Sequence, residues 1–322
     1  MLPLNVNSLK PIKFKSGLKR YKLYNVEIGG YGENPTLLIG SLFYHGDRKV
    51  MNHNEGVFDK KATKNEIEST MQVCGEYGIP CAIDVVATTG KAMEKYIPFI
   101  SDVYDGLIFV DGVSPEARIR GYELVSELGL HVKAIANGIY PGMPDEELNA
   151  IKNNRIEAVV LLAYDPRNPS TFLSLAEKLK VVKEVLLPMA QKVNAAKILI
   201  DSIVLDIATI TIAASSITYI KNELGYPTGS GPANVLGVVT TKLFGKEGVS
   251  SIHTAISVYL RIMGADFIMY GPLRRAKYII PGLAMIDGLL GYVVRREGVK
   301  VSKEHPLYKV VKNVQRLFLK ST

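Results

Sequence analysis

The chain has only two cysteines, Cys74 and Cys81, seven residues apart and outside any CxxC pattern. Two thiols so placed offer neither a disulfide framework nor a four-cysteine metal site, so the expectation is a core-held protein in a reducing compartment. The five histidines, His45, His53, His131, His253 and His305, include no HxxxH or HExxH pair, and only His45 and His53 share a loop. No metal centre is expected from them. Nucleotide fingerprints are missing too, because the glycine-rich GYPTGSGPAN at 225–234 lacks the Lys-Ser/Thr of a Walker A loop and the spacing of GxGxxG. It reads as a tight strand-to-helix turn, or as backbone and small hydroxyls brought close to a flat ligand. The N-terminal MLPLNVNSLK has no apolar leader core. The apolar stretches Ile207–Ile220 and Ile279–Val294, the latter broken by Pro281 and Asp287, are too short or interrupted for a membrane span. A soluble, cytoplasmic protein is expected.

Acids are scarce where bases are plentiful. Residues 1–26 carry six basic side chains and no carboxylate, and residues 293–322 carry eight basic against two acidic. Each end contributes +6 to a net charge of +8, which leaves residues 27–292 at −4. A nucleic-acid face would interleave basic and aromatic residues over the body, and the body shows no such pattern. The basic ends read as solvated tails, or as a docking surface for an acidic partner or an anionic membrane face. With 322 residues, 47% of them apolar, the chain can bury one large core. Its few glutamines, three in all, beside abundant Lys, Ile and Val, suit a thermophile.

Eight β-rich apolar runs recur: Pro35–Phe43, Pro80–Ala87, Gly106–Asp111, His131–Asn137, Glu157–Tyr164, Ala195–Val204, Tyr226–Gly231 and Asp266–Tyr270. Helical periodicity fills several of the gaps, at Glu66–Tyr77, Glu116–Leu128, Asp145–Asn153, Leu173–Ala190, Ala233–Leu243 and Ser251–Met263. Strands that are apolar almost throughout are buried on both faces. Eight such units predict an α/β fold, a closed (β/α)₈ barrel, with an open doubly wound sheet as second choice. Residues 1–35 read as a basic tail followed by a strand pair, Tyr21–Ile28, that closes one end; residues 36–322 read as the barrel. A last helix after Pro306 puts Leu307, Val310, Val311, Val314, Leu317 and Phe318 on one face, to pack on the barrel or on a second subunit.

In a parallel barrel, chemistry sits at the C-terminal ends of the strands. Here the runs end in Asp84, Asp111, Asn137, Asp165 and Asp201. Each alone also reads as a turn residue or helix cap, and Asp165-Pro166 as a turn start, while Asp84 falls inside its apolar run. Five on one rim, with no basic residue among them, make a poor phosphate site and a good one for a neutral heterocycle rich in N–H donors. The loop from Tyr44 to Lys61 is long for a βα connection and reads as an insertion, or as a cover over the site. Glu116 and Arg118 follow the helix start Ser114-Pro115 and read as supporting groups.

The segments NPTLLIGSLFYHGDRKV, EGVFDK, FVDGVSPEARIRG, AIANGIYP, LLAYDPRNPS, ILIDSIVLD, GYPTGSGPANV and DFIMYGPLRRA resemble, in this order from about residue 21 to 290, a known archaeal family. It is that of the pterin-binding, corrinoid-dependent subunit of tetrahydromethanopterin S-methyltransferase and its tetrahydrofolate-using relatives. The resemblance implies a pterin-binding barrel of one-carbon metabolism, usually a homodimer, that takes the methyl from N5 of a methyl-tetrahydropterin. The acceptor it implies is the cob(I)amide of a separate corrinoid protein, in a soluble system or in a membrane complex that the chain contacts peripherally. It implies that Asp111, Asn137 and Asp201, with Asp84, bind the ring, and that a residue after the seventh barrel strand, among Thr228, Ser230 and Asn234, approaches the reactive nitrogen. Asp201, Asn137 and Asn234 are the catalytic candidates. Arg274 and Arg275 depart from the family pattern and suit either an anionic pterin tail or the outer surface. Two rival readings are a dihydropteroate-type synthase, disfavoured because the rim lacks cations for a diphosphate, and a pterin-binding protein that only docks a partner.

Overall fold

Strands rich in Val, Ile and Leu on both faces need a sheet without edges and helices outside it, and the chain builds that arrangement. The structure is a computed structural model that describes residues 10–15, 17–237, 239 and 241–321, so the N-terminal stretch read for a leader lies, up to residue 9, outside the described residues. Arg20–Leu23 (β1) and Val26–Gly29 (β2) form an antiparallel hairpin. Then come Leu37–Leu42 (β3), a small ribbon of Val50–Asn52 (β4) and Val57–Phe58 (β5), and Cys81–Ala87 (β6), Ile108–Gly112 (β7) and Ala134–Ile139 (β8). Ala158–Leu162 (β9), Lys197–Asp201 (β10), Thr228–Ser230 (β11) and Phe267–Pro272 (β12) complete the set. Strands β3, β6, β7, β8, β9, β10, β11 and β12 close in that order into one parallel barrel, so the eight runs read from the sequence are its eight strands. The chain is a (β/α)₈ barrel with a short N-terminal β extension.

Helices Lys60–Tyr77 (α1), Gly90–Val103 (α2), Pro115–Glu127 (α3) and Asp145–Asn153 (α4) follow β5 to β8. Asp59, Thr89 and Ser114 cap the first three by accepting from the backbone N–H of Ala62, Ala92 and Ala117. After β9 the single helix expected from the sequence is divided. Ser174 ends Ser170–Leu173 (α5) and caps Leu175–Val181 (α6), and a π-helical turn leads to Leu187–Lys192 (α7). Thr209–Leu224 (α8), Ala233–Leu236 (α9), Thr241–Ile262 (α10), Ala276–Arg296 (α11) and Lys312–Ser321 (α12) complete the chain. Three of these were not legible as helices: α2 and α11 run through Pro98 and Pro281, and α8 is rich in Thr and Ile. Burial against the barrel overrides the weak local preference. Helix α11 therefore corrects the reading of 279–294 as interrupted. It is long and apolar enough to cross a bilayer, but half of it is buried in the protein and its Asp287 is fully buried in an ion pair.

Alternate strand residues build two cores. Outward residues such as Leu38, Ile83, Val85 and Val110 pack beneath the helices. Inward residues Leu37, Ile39, Ala82, Leu107, Phe109, Ile135, Val160, Leu199 and Phe267 fill the barrel, and Leu23, Val26 and Ile28 of the hairpin join them. The hairpin thus plugs the N-terminal end of the barrel and directs any cavity to the other end. Gly229 faces this crowded interior: a Cβ there would stand 2.2 Å from the Phe267 carbonyl oxygen, which accounts for one glycine of GYPTGSGPAN.

Two expectations change. Cys74, near the end of α1, and Cys81, at the start of β6, are joined in a disulfide across a Cα separation of 6.3 Å, whereas the sequence was read as offering no disulfide framework. The tight turn at Gly78, held by its N–H to Gly75 O and by Ile79 N–H to Cys74 O, brings together two thiols that spacing alone did not pair. At the C-terminus Leu307 and Val311 pack inward with Val294 and Val301, and half-buried Val310 packs against the main core, while Val314, Leu317 and Phe318 are exposed.

Buried charge ties the outer helices to the plugged end. Arg261 donates to Asp287 at 2.6 Å, to Ala265 O at 2.7 Å and to Asn34 O at 3.0 Å, and Asp287 accepts from Thr36 N–H at 2.8 Å. Replacing Arg261 by Leu leaves that carboxylate buried without its cation, and is expected to cost about 3–5 kcal/mol, measured by urea unfolding. Wild-type stability in that variant would show that the pair contributes nothing.

Candidate functional site

The inward positions that are apolar in the lower barrel become polar one step higher. Above Ile39, Ala82, Phe109, Ile135 and Leu199 stand Ser41, Asp84, Asp111, Asn137 and Asp201, the next residues of the same parity in β3, β6, β7, β8 and β10. They face a single cavity of about 480 Å³ at the C-terminal end of the barrel, with Leu162, Gly231 and Met269 closing its wall. Parity also settles Asp84. It lies mid-strand, with Ile83 and Val85 packed outward under the helices, and its own side chain turns into the cavity.

Asp84 is held on both oxygens, by Ser41 Oγ at 2.8 Å and by Asn137 Nδ2 at 3.3 Å. Asp111 Oδ1 accepts from Gly112 N–H at 2.7 Å, and Asp201 Oδ1 accepts from Ile203 N–H at 2.8 Å. Ile203, whose N–H makes that bond, adopts the left-handed backbone (φ +56°), which a β-branched residue rarely takes. Oδ2 of Asp111 and of Asp201 has no hydrogen-bond partner among the described residues. Burial dominates the electrostatics and pushes Asp84 and Asp201 up to about 6. Asp111, part-open to the cavity but deep below its rim, is raised well above the usual range by burial and by the charge of Asp84.

Cations stand behind this acidic floor, outside the cavity wall, and at its mouth. Lys178 of α6 is buried, donates to Ser202 O at 2.6 Å and Ala163 O at 3.4 Å, and so bridges the ends of β10 and β9. Burial lowers its pKa to about 8, against the attraction of Asp201. Arg118 of α3 binds Glu147 through Nε at 2.5 Å and Nη2 at 2.9 Å, and Gly112 O through Nη1 at 2.6 Å, bracing the backbone directly after Asp111. Glu116 accepts from Gly90 N–H at 3.0 Å and ties α3 to α2. Arg274, which is exposed, and half-buried Arg275 line the cavity mouth.

The candidates from GYPTGSGPAN separate. Asn234, on α9, lines the cavity and is solvent-exposed. Thr228 is fully buried, donates to Tyr226 O at 2.9 Å and is not part of the cavity wall. Ser230 is buried outside that wall; its hydroxyl lies close enough to Asp201 to favour the ionised form but makes no well-formed hydrogen bond. Asp165 lies past the end of β9, where it forms a turn with Asn168 and pairs with Arg167 at 2.8 Å. The 44–61 loop contributes Tyr44 to the cavity. Its later part is held beside α2, by Thr89 Oγ1 to Asn54 O, Lys95 Nζ to Glu55 O and the packing of Phe58 on Tyr96 and Phe99, and Lys49 pairs with Glu66 of α1. Sequence reading missed Ser41, Lys178 and Met269. The parity of GSL and of FIM would have exposed the first and last, but nothing in EKLKVVK marks the lysine.

Among solved structures the fold is similar to Yersinia pestis DHPS with a pterine-sulfa conjugate (TM-score 0.60, 12% identity, 84% of this chain and 98% of that one). It is also similar to Coxiella burnetii dihydropteroate synthase in complex with pteroic acid (TM-score 0.56, 14% identity, 81% and 95%). At such identity these are likenesses of fold. Residues 19–302 match the profile of the tetrahydromethanopterin S-methyltransferase MtrH subunit. Sequence relatives include that methyltransferase subunit from Methanothermobacter marburgensis, 30% identical over 294 residues, 88% of this chain and 95% of the relative. Its counterpart from Methanocaldococcus jannaschii is 28% identical over 303 residues, 88% and 95% of the two chains. With the profile spanning nearly the whole barrel and the relatives matching along most of their length, the chain belongs to the MtrH family of methyltransferase subunits.

Proposed function

We propose that the chain moves a methyl group between N5 of a methyl-tetrahydropterin and the cob(I)amide of a corrinoid protein. The observation that carries this reading is the polar layer itself, in which carboxylates and one amide face one cavity and two of the carboxylates keep an oxygen free. A reduced pterin presents N–H donors along one edge, and carboxylates accept such donors in pairs. Asp111, Asn137 and Asp201 are the groups assigned to the ring. Asp84, committed to Ser41 and Asn137, orients that amide.

A methylated tertiary amine leaves poorly unless its nitrogen gains a proton or a strong hydrogen bond. Asp201 holds the ring as a carboxylate, and of Thr228, Ser230 and Asn234 only Asn234 lines the cavity, so Asn234 is assigned to N5 through its amide N–H. A corrinoid supplies a cobalt(I) nucleophile when its carrier is docked, which leaves no need for a nucleophile or metal in the barrel. The relatives are named as subunits, which supports the existence of partner proteins; the proposed partners are a corrinoid protein, a second copy of the chain and a membrane complex contacted peripherally. The mouth arginines remove the lack of cations as a ground against a diphosphate-using synthase; membership of the methyltransferase family argues against it instead.

Mixing the protein with cob(I)alamin and methyl-tetrahydromethanopterin or methyl-tetrahydrofolate is expected to bleach the cobalt(I) absorption with one of them. Tight pterin binding without bleaching would point to a docking protein. Asp201→Asn and Asn137→Ala are each expected to slow transfer about 10²-fold or more, and wild-type rates would overturn their assignment.

The sign of the pH dependence follows from Asp201. Ring N–H donors favour the carboxylate, so bound pterin lowers a pKa that is about 6 in the empty protein. Affinity is expected to hold above that value and to weaken as pH falls through it, and Asp201→Asn should flatten the profile in calorimetric titrations. An acid raised from 3.8 to about 6 stabilises the fold below its unfolded value and loses that contribution as pH rises through 6. Asp201→Asn is therefore expected to raise the unfolding free energy of the empty protein at pH 7.5 by roughly 2 kcal/mol.

A further inference from the structure

The cavity has opposite charge at its two ends. Its floor carries Asp84, Asp111 and Asp201, and its mouth carries Arg274 and Arg275, in the turn Leu273–Arg275 that leads into α11. Arg274 Nη1 donates to Tyr44 Oη at 2.5 Å and its guanidinium lies 6.0 Å from the tyrosine ring, so the side chain is held at the mouth. Arg275 is half-buried beside it. Among the described residues neither makes an ion pair with a carboxylate, whereas Arg118 and Arg261, the arginines deepest in the protein, both do. The first turn of α11 has no acidic residue either. Two adjacent cations, one half-buried, repel each other and carry a cost that an anion between them would relieve; burial and the charge of Arg274 lower the pKa of Arg275 for the same reason.

We propose that Arg274 and Arg275 form an anion subsite that holds a carboxylate or phosphate on the tail of the pterin and selects tailed substrates over the bare ring. The inference rests on the pterin reading of the floor. It follows from polarity along one cavity: a donor-rich ring is accepted by the acids below, and the anionic end of the same molecule meets a guanidinium fork above.

The test is calorimetric binding of 6-methyltetrahydropterin, which has no anionic tail, tetrahydrofolate, whose tail ends in carboxylates, and tetrahydromethanopterin, whose tail also carries a phosphate. The wild type is expected to bind a tailed pterin about 10- to 100-fold tighter than the ring alone, and more so at low salt. In R274Q/R275Q that ratio should collapse toward one, and R274K/R275K should restore part of it. Which tailed pterin is preferred, and whether glutarate or inorganic phosphate competes with it better, names the anion. An unchanged ratio in R274Q/R275Q overturns the subsite and frees the arginines for an acidic partner surface, while the pterin floor stands if Asp201→Asn still weakens 6-methyltetrahydropterin. If the wild type binds none of the three, the pterin reading itself falls and the subsite with it.

Discussion

The structure depends on the two-residue period of a strand in a closed barrel. Each strand sends alternate side chains to the helices and to the axis, so a site at the axis is built one residue per strand. Ser41, Asp84, Asp111, Asn137 and Asp201 meet because each occupies the inward parity one step above an apolar layer. A shift of one residue in any of these strands would take its polar side chain off the axis and bring in a neighbour bound for the outer face. The plug of Leu23, Val26 and Ile28 closes the opposite end and leaves one opening.

Burying carboxylates at the axis is unfavourable, and the fold offsets it locally. Asp201 and Asp111 each receive a backbone N–H, Lys178 crosses from α6 behind Asp201, and Arg118, itself paired with Glu147, braces the carbonyl after Asp111. The offset is incomplete, because burial still outweighs these bonds and leaves Asp84 and Asp201 near 6. Acids left partly uncompensated are receptive to a donor-rich ligand, which is how a cost in the empty protein becomes affinity. The buried acids at the closed end, Asp287 with Arg261 and Asp266 with Lys221, instead each have a directly bonded cation. These pairs hold helices and strand starts together, although burial still raises the pKa of Asp266 and lowers that of Lys221.

Family membership joins this chemistry to a methyltransferase subunit. The likeness to dihydropteroate synthases, at 12–14% identity, shows how one barrel serves different reactions. On that frame this chain places carboxylates and an amide on the axis and two adjacent arginines at the mouth.

Much was legible beforehand because it is local. Apolar runs such as AVVLLA and KILI are strands on hydrophobicity alone, and the acids and the amide that end them or lie within them stand out against that background. The order of motifs from about residue 21 to 290 identified the family for the same reason. What the sequence left open depended on distance in space. Thr228 and Asn234, six residues apart, part company because one lies within the sheet and the other on the cavity wall. Cys74 and Cys81 pair because a turn at Gly78 folds α1 back onto β6. Lys178 reaches the floor from a helix whose sequence is ordinary, and Arg274 and Arg275 face the mouth because the turn after β12 points them there. The sequence by itself determined which segments are strands and which residues carry charge. Only the tertiary structure decided which of those charges share a cavity, since closing the barrel brings together groups far apart along the chain.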